Sequence, residues 1–228
     1  MKVSIVIPFL GRWELVHNRI NELYRFVSDP VEIVLVNDFS QDESIDGAVA
    51  WWQQSKIQHS VVYVKNEQNL GFGGSMNKGC SVATGDVLIL LSNDVEIHGN
   101  IVDTILSEIS DEALFGDVLY PTTTGWNVLN INGKQKLFPY LGGHLLACTR
   151  SVWDKLGGFD PIYGKFDFED VCLSTTALFL GMKLVPLRLP VSHMSGQTIR
   201  RLNPDRESYT IANRELFRIK WSGLLKDE

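Results

Sequence analysis

Carboxylates stand at several points of the chain where acid–base or metal chemistry could use them: Asp38 in Val36-Asn37-Asp38, Asp94 in Ser92-Asn93-Asp94, and Asp167, Glu169 and Asp170 in one acidic run. Ser92, Asn93 and Asp94 offer hard oxygens suited to Mg2+ or Mn2+ held jointly with a substrate's phosphates. The same aspartate also suits an ordinary turn. Glu169 and Asp170 precede Val171, Leu173, Ala177, Leu178 and Leu180 at helical spacing, which puts both in a first turn, where the helix dipole stabilises carboxylates. Aimed into a cleft, either is a general base for a hydroxyl, with neighbouring aromatics able to stack on a sugar ring. His193 fits a hydrogen-bonded structural role or a metal ligand.

These residues need elements to hold them. Short β-branched runs at 3–8, 31–36, 61–64 and 87–91 alternate with amphipathic stretches, the pattern of a parallel α/β sheet with helices on both faces. Asp38 and Asp94 then fall at carboxyl ends of strands, where such sheets bind ligands. Ser40 and Glu43 have capping-box spacing, a short helix is expected between the glycines at 71–74 and Ala83, a helix over 101–109, and a strand at 118–120. From residue 121 the texture becomes α+β. Asn132-Gly133 marks a hairpin, 145–148 a buried strand, 152–156 and 171–180 helices, and 184–189 a strand. Asn203 and Pro204 open a last helix through Lys220, with Tyr209, Ala212, Leu216 and Ile219 turned inward and Arg206, Arg214 and Arg218 sharing another face.

Composition narrows the classes. With 228 residues, 44% apolar and 21% charged, the chain can bury one sizeable core, which excludes collagen-like and disordered readings. Three cysteines without Cys-x-x-Cys spacing argue against a disulfide framework or zinc knuckle and fit a reducing compartment. No apolar run approaches the roughly 18 to 20 residues of a membrane span. The expected location is cytoplasmic. Net charge is −6, yet residues 183–228 carry 9 basic and 5 acidic side chains, either a solvated face or a surface for an anionic partner.

In chain order, Pro8 after the opening strand, Val36-Asn37-Asp38-Phe39-Ser40, Asn69-Leu70-Gly71-Phe72-Gly73-Gly74 with Asn77 and Gly79, Gly85-Asp86, Ser92-Asn93-Asp94, Gly157-Gly158-Phe159-Asp160, Glu169-Asp170 and His193 resemble the family 2 glycosyltransferases over roughly residues 2–196. The resemblance implies a GT-A fold: residues 1–120 as the nucleotide-sugar half, 121–196 as the acceptor and catalytic half, and 197–228 as a lid and C-terminal helix of one domain. It implies a metal-dependent, inverting hexosyl- or pentosyltransferase. Pro8, Asp38, Gly73, Gly74, Asn77, Ser92 and Asn93 would line the donor, a UDP-sugar first, with dTDP- or GDP-sugars as alternatives. Asp94 and His193 would hold Mn2+ or Mg2+, and Asp170, with Glu169 beside it, would be the base. Gly158, Phe159 and Phe168 would face a glycan or lipid-linked acceptor.

Ser92 stands where the family often has an aspartate, Phe39 where it has a glycine, and Cys172 where an aspartate often follows Glu-Asp. Gln197-Thr198-Ile199-Arg200-Arg201 resembles the Gln-x-x-Arg-Trp motif of processive synthases with Arg201 in the tryptophan place, so non-processive transfer is expected, with Arg200 or Arg201 reaching the diphosphate from a lid. The basic end also admits peripheral contact with anionic membrane or a modified nucleic acid acceptor. A nicotinamide-dependent oxidoreductase does not fit, because a dinucleotide loop belongs after the first strand and needs a glycine where Met76 stands. A nucleotidyltransferase lacks its basic, glycine-rich loop after strand one. The different-class alternative is a non-catalytic nucleotide-sugar or glycan-binding module of the same fold.

Overall fold

A computed structural model describes residues 1–42, 44–54, 58–120, 128–131, 134–194 and 206–222. Four β-rich runs form parallel strands: β1 (Val3–Phe9), β2 (Glu32–Asn37), β3 (Ser60–Lys65) and β4 (Val87–Leu91), with β1 between β2 and β4. Their alternate residues feed two cores. Ile5, Ile7, Ile33 and Leu35 pack with Val16, Ile20 and Leu23 of α1 (Trp13–Phe26) and with Ile45 and Val49 of α2 (Ser44–Gln54). Val6, Val34, Val36, Leu88 and Leu90 pack with Met76 and Cys80 of α3 (Gly71–Val82). Burial on both faces is why β1, β2 and β4 are mostly apolar, whereas the edge strand β3 is only half-buried.

The next elements are β5 (Val95–Ile97), α4 (Ile101–Glu108), β6 (Ala113–Gly116), β7 (Leu119–Tyr120), β8 (Val128–Ile131), β9 (Lys134–Leu137), β10 (Tyr140–Leu141), β11 (Leu145–Thr149) and α5 (Arg150–Leu156). A 3-10 turn at Pro161–Tyr163 follows, then α6 (Glu169–Phe179), β12 (Lys183–Pro186), β13 (Val191–His193) and α7 (Arg206–Ser222). The central sheet has the order β12-β6-β11-β4-β1-β2-β3, with β11 antiparallel to both its neighbours and the other strands parallel to one another. The architecture is the mostly parallel α/β sheet with helices on both faces, followed by an α+β half. Among the described residues, no helix is long and apolar enough to cross a membrane.

Several local expectations change. The strand expected at 118–120 is only the two-residue β7, and the sheet instead takes β6, a four-residue run too short to show a period. β12 ends at Pro186 because Pro186 pairs with Gly116, the last residue of β6. The capping box is displaced: α2 begins at Ser44, the Ser40 hydroxyl accepts the Gly11 amide at 2.7 Å, and Glu43 lies outside the described residues. β8 and β9 pair antiparallel with Ile131 opposite Lys134, while Asn132 and Gly133 lie outside the described residues. The glycines at 71–74 lie inside α3 rather than before it. On α7 the buried face is Thr210, Asn213, Phe217 and Trp221, whereas Tyr209, Ala212 and Ile219 are exposed. Counting apolar residues gave the wrong phase because two polar side chains are buried there for their hydrogen bonds. Asn203 and Pro204 lie outside the described residues.

Candidate active site

At the carboxyl edge of β1 and β2, Pro8 is buried opposite Val36, and Asp38 follows the last residue of β2. Asp38 is buried, and both of its oxygens meet the chain's own donors. Oδ1 accepts the Leu70 amide at 2.7 Å and Asn66 Nδ2 at 3.0 Å, and Oδ2 accepts the Gly71 amide at 3.0 Å. A carboxylate here satisfies amides that the start of α3 leaves unpaired. Phe39 beside it has φ 68° and is 43% exposed. That left-handed backbone explains the family's glycine, since a Cβ costs roughly 1–2 kcal/mol in this region. Phe39→Gly is expected to raise stability by about 1 kcal/mol, part of the relief being offset by glycine's larger unfolded-state entropy. Denaturant melts check this, and a loss of stability would show that the ring's contacts outweigh the strain.

The glycines of α3 admit close neighbours. A Cβ on Gly71, whose φ is +73°, would sit 2.5 Å from Lys165 Cα, and one on Gly73 would sit 3.2 Å from Phe159 Cβ and 3.6 Å from Glu169 Cβ. The acidic segment therefore lies directly against the helix that Asp38 anchors, while a Cβ on Gly74 would meet Leu70 at 2.9 Å. Asn77, expected at the donor, has its amide committed: Nδ2 donates to the Phe159 carbonyl at 2.7 Å and Oδ1 accepts the Phe159 amide at 2.9 Å.

The residues expected at the acceptor also change role. Gly157 and Gly158, both with φ +75°, end α5, and a Cβ on Gly158 would strike Asn77 Oδ1 at 2.7 Å. The Phe159 ring, 1% exposed, is packed between Phe72 and Trp153; Phe168, 4% exposed, packs on Phe217. Neither ring offers a face to a sugar, because both are spent on the core. The aromatics near Asp170 are instead Tyr120 and Tyr140, half-buried and stacked with centroids 5.0 Å apart. Burial and the charge of Asp170 raise both phenols above their ordinary pKa.

Asp94 follows β4 and is buried. Ser92 Oγ donates to its Oδ1 at 2.6 Å, and His193 Nε2 lies 3.4 Å from the same oxygen. The sheet brings them together, because β13 pairs with β5 in a register that sets His193 opposite Val95. Burial pushes the Asp94 carboxyl up, but the hydrogen bonds from His193 and Ser92, with the charge of His193, hold it down at about 2. Ser92, in the place of a second carboxylate, thus acts as a donor to the first. Asn93 is buried, and its Nδ2 has no hydrogen-bond partner among the described residues.

Sequence reasoning missed His144, whose ring stacks on His193 at 4.2 Å and 9° and whose Nε2 lies 3.4 Å from Asp117. Burial and the charge of His193 lower its pKa, which keeps it neutral. The Gly142-Gly143-His144 sequence was the available signal: a Cβ on Gly142 would strike His144 and Tyr120, and one on Gly143 would sit 3.1 Å from Asp170 Cβ.

Gly143 is also the link to the acid pair. Its amide donates to Asp170 Oδ2 at 2.9 Å, while Oδ1 accepts the Val171 amide at 2.8 Å. Burial raises both acids, Glu169 further, to about 8 with the Asp170 charge adding to it, and Asp170 to about 6, with the two backbone amides opposing the rise. Near neutral pH the pair thus holds one proton between its two carboxyls, and Glu169 Oε2 has no partner among the described residues. Contacts run continuously from Asp38 through Gly71, Gly73 and Glu169 to Asp170, then through Gly143, His144 and His193 to Asp94. Arg200 and Arg201 lie outside the described residues.

The raised Glu169 has a stability signature. Its folded pKa exceeds the ordinary 4.5, so its contribution is fully present below about pH 4.5 and is lost as pH rises toward about 8. Glu169→Gln is therefore expected to be no more stable than the wild type at pH 4 and more stable at pH 8 by on the order of 2 kcal/mol. Urea melts across that window test it, and a difference independent of pH would contradict it.

Residues 4–145 match the family model described as glycosyl transferase family 2. The chain belongs to this family. Over 203 residues it is 26% identical to an uncharacterized glycosyltransferase of Nostoc sp., covering 79% of the chain and 61% of the relative. Over 183 residues it is 32% identical to polypeptide N-acetylgalactosaminyltransferase 15 of Mus musculus, covering 66% of the chain and 28% of that enzyme. The chain thus spans less than two thirds of the length of either curated relative. In fold it is similar to a mannosyltransferase of Pyrobaculum calidifontis in complex with GDP-Man and Mn2+, with TM-score 0.69, 16% identity, 96% of the chain and 64% of that protein covered. It is also similar to GalNAc-T7 with UDP, GalNAc and Mn2+, with TM-score 0.66, 20% identity and 85% and 44% covered. The fold is that of the GT-A glycosyltransferases.

Proposed function

We propose that the chain transfers a sugar from a nucleotide-diphosphate donor to an acceptor hydroxyl with inversion, non-processively, with Asp170 as general base. The observation that carries this reading is the Asp170 carboxylate: half-buried, oriented by the Gly143 amide, and joined through Gly143-His144 to the Asp94–His193 pair. In the reaction Asp170 takes the proton of the acceptor hydroxyl as its oxygen attacks the anomeric carbon. The bond from that carbon to the diphosphate oxygen breaks on the opposite face, and the diphosphate leaves with the electron pair. The proton held by the acid pair keeps a second negative charge from opposing the incoming oxygen.

The donor set near Asp94 fits a divalent ion. Among the described residues, no group of three or more His, Cys, Asp or Glu side chains could hold one alone. A carboxylate oxygen and an imidazole nitrogen 3.4 Å apart do suit neighbouring positions on one ion, since adjacent ligands about 2.1 Å from a metal lie about 3 Å from each other. Asp94 and His193 would hold the ion, with diphosphate oxygens filling other positions, and its chemistry would be to offset charge on the leaving group. The Asn93 Nδ2, without a partner, is a further donor available to the donor substrate. The solved relatives bound to GDP-Man and to UDP support a nucleotide-sugar, with UDP-sugars tried first. Tyr120 and Tyr140 make the acceptor side suited to a saccharide, free or lipid-linked.

A melting-temperature screen of UDP-, GDP- and dTDP-sugars with and without Mn2+ tests donor binding, because a ligand of the folded state stabilises it by mass action. Release of nucleoside diphosphate with an inverted product is the expected sequel. Binding without release would favour the non-catalytic module, and a retained configuration would end the inverting mechanism.

A further inference from the structure

The turn that delivers Glu169 and Asp170 does not hold itself. Asp167 and Phe168 carry φ of 57° and 74°, two successive side-chain-bearing residues in the left-handed region, which a Cβ disfavours. Phe168, the residue before the first turn of α6, makes no side-chain cap. What restrains the turn comes from α7. Asn213, 4% exposed, shares its Nδ2 protons among the carbonyls of Tyr163 at 2.7 Å, Asp167 at 3.0 Å and Phe166. Arg206 grips Asp167 with both prongs of its fork, Nε to Oδ2 at 3.0 Å and Nη2 to Oδ1, and Thr210 Oγ1 donates to Oδ2. Further along the same face Phe217 packs on the Phe168 ring. One helix face is thus polar where it meets the turn and apolar beyond it, and the buried polar positions have carbonyl and carboxylate partners.

We propose that α7 is the positioning element of the acid pair, with Arg206, Thr210 and Asn213 clamping the strained turn so that Asp170 stays seated on the Gly143 amide. Its catalytic meaning rests on the reading of Asp170 as base. A base misplaced by about 1 Å costs on the order of a hundredfold in rate, so a turn with unfavourable backbone angles needs an external restraint. The Arg206 charge also acts on Glu169 and Asp170, opposing Asp167 and burial. Among the described residues, the charged and titratable groups around Asp170 are Asp167, Glu169, Arg206, Tyr120 and Tyr140.

Hydrogen exchange at the Gly143 amide reads the seat of Asp170 without any substrate. Arg206→Gln and Thr210→Val, which remove little packing, are each expected to speed that exchange about tenfold while the amides of β1 and β4 keep their protection. Arg206→Lys should fall between Arg206→Gln and the wild type. Carboxyl carbon NMR should show Glu169 and Asp170 titrating at higher pH in Arg206→Gln, because a positive charge has gone. Unchanged Gly143 exchange in both folded variants would overturn the clamp. The base reading fails separately, if Asp170→Asn keeps full turnover. If both hold, Arg206→Gln lowers kcat with little change in donor KM.

Discussion

Asp170→Asn is expected to lower turnover on the order of 10²–10⁴-fold with donor KM nearly unchanged, the range for removing a positioned general base. The substitution is nearly isosteric. Its carbonyl oxygen can still accept the Gly143 amide that Asp170 Oδ2 accepts at 2.9 Å, so the cost to the fold is confined to the Val171 amide, which loses its acceptor Oδ1 at the start of α6. What disappears is the proton acceptor. A base works when deprotonated, and burial sets Asp170 at about 6, so kcat/KM of the wild type should fall as pH drops below about 6. That limb should be missing from the residual activity of the variant. Glu169 is a poor substitute near neutral pH, because burial still favours its neutral form even without the Asp170 charge that also raises it. Full activity in Asp170→Asn, or an acidic limb that survives it, would reassign the base.

Asp94→Ala is the second large effect, an expected loss of about 10²–10³ in turnover, the scale for losing one group that stabilises charge on a leaving oxygen. The carboxylate is ionised at neutral pH, since His193 and Ser92 hold it down at about 2 against burial. Removing it leaves His193 stacked on His144 without its acid. Mn2+ titrated into the protein with UDP or GDP, followed by electron paramagnetic resonance, separates binding from rate. Weaker Mn2+ binding together with lost turnover is the expected pair of results. Intact Mn2+ binding in Asp94→Ala would place the ion elsewhere.

Much of the scaffold was legible because it rests on local rules. The runs at 3–8, 31–36, 61–64 and 87–91 are β-branched and apolar on both faces, and only a parallel sheet covered twice suits that pattern. The placement of the acid pair was legible too, as two carboxylates in the first turn of a helix. The roles of the glycines and of Asn77 were not. Gly73 and Gly143 are small because Phe159 and Asp170 lie against them, and Asn77 is an amide because it ties down the Phe159 backbone. Nothing nearby in the chain marks either partner. The aromatics mislead for a related reason: Phe159 and Phe168 look like a sugar platform beside acids, yet the same rings fill the core equally well, and packing took them.

By itself the sequence determined the element types, the strand-end position of Asp38 and Asp94, and the family, since propensity, period and ordered motifs are written in neighbouring residues. Only the tertiary structure decided which groups meet. It spent both oxygens of Asp38 on the Leu70 and Gly71 amides, put His193 beside Asp94 through the β5–β13 register, and stacked His144 on it. It also seated Asp170 on a backbone amide and pinned its turn from α7. Backbone amides leave no trace in residue type, and burial, which raises both adjacent acids, belongs to the packed fold rather than to the chain.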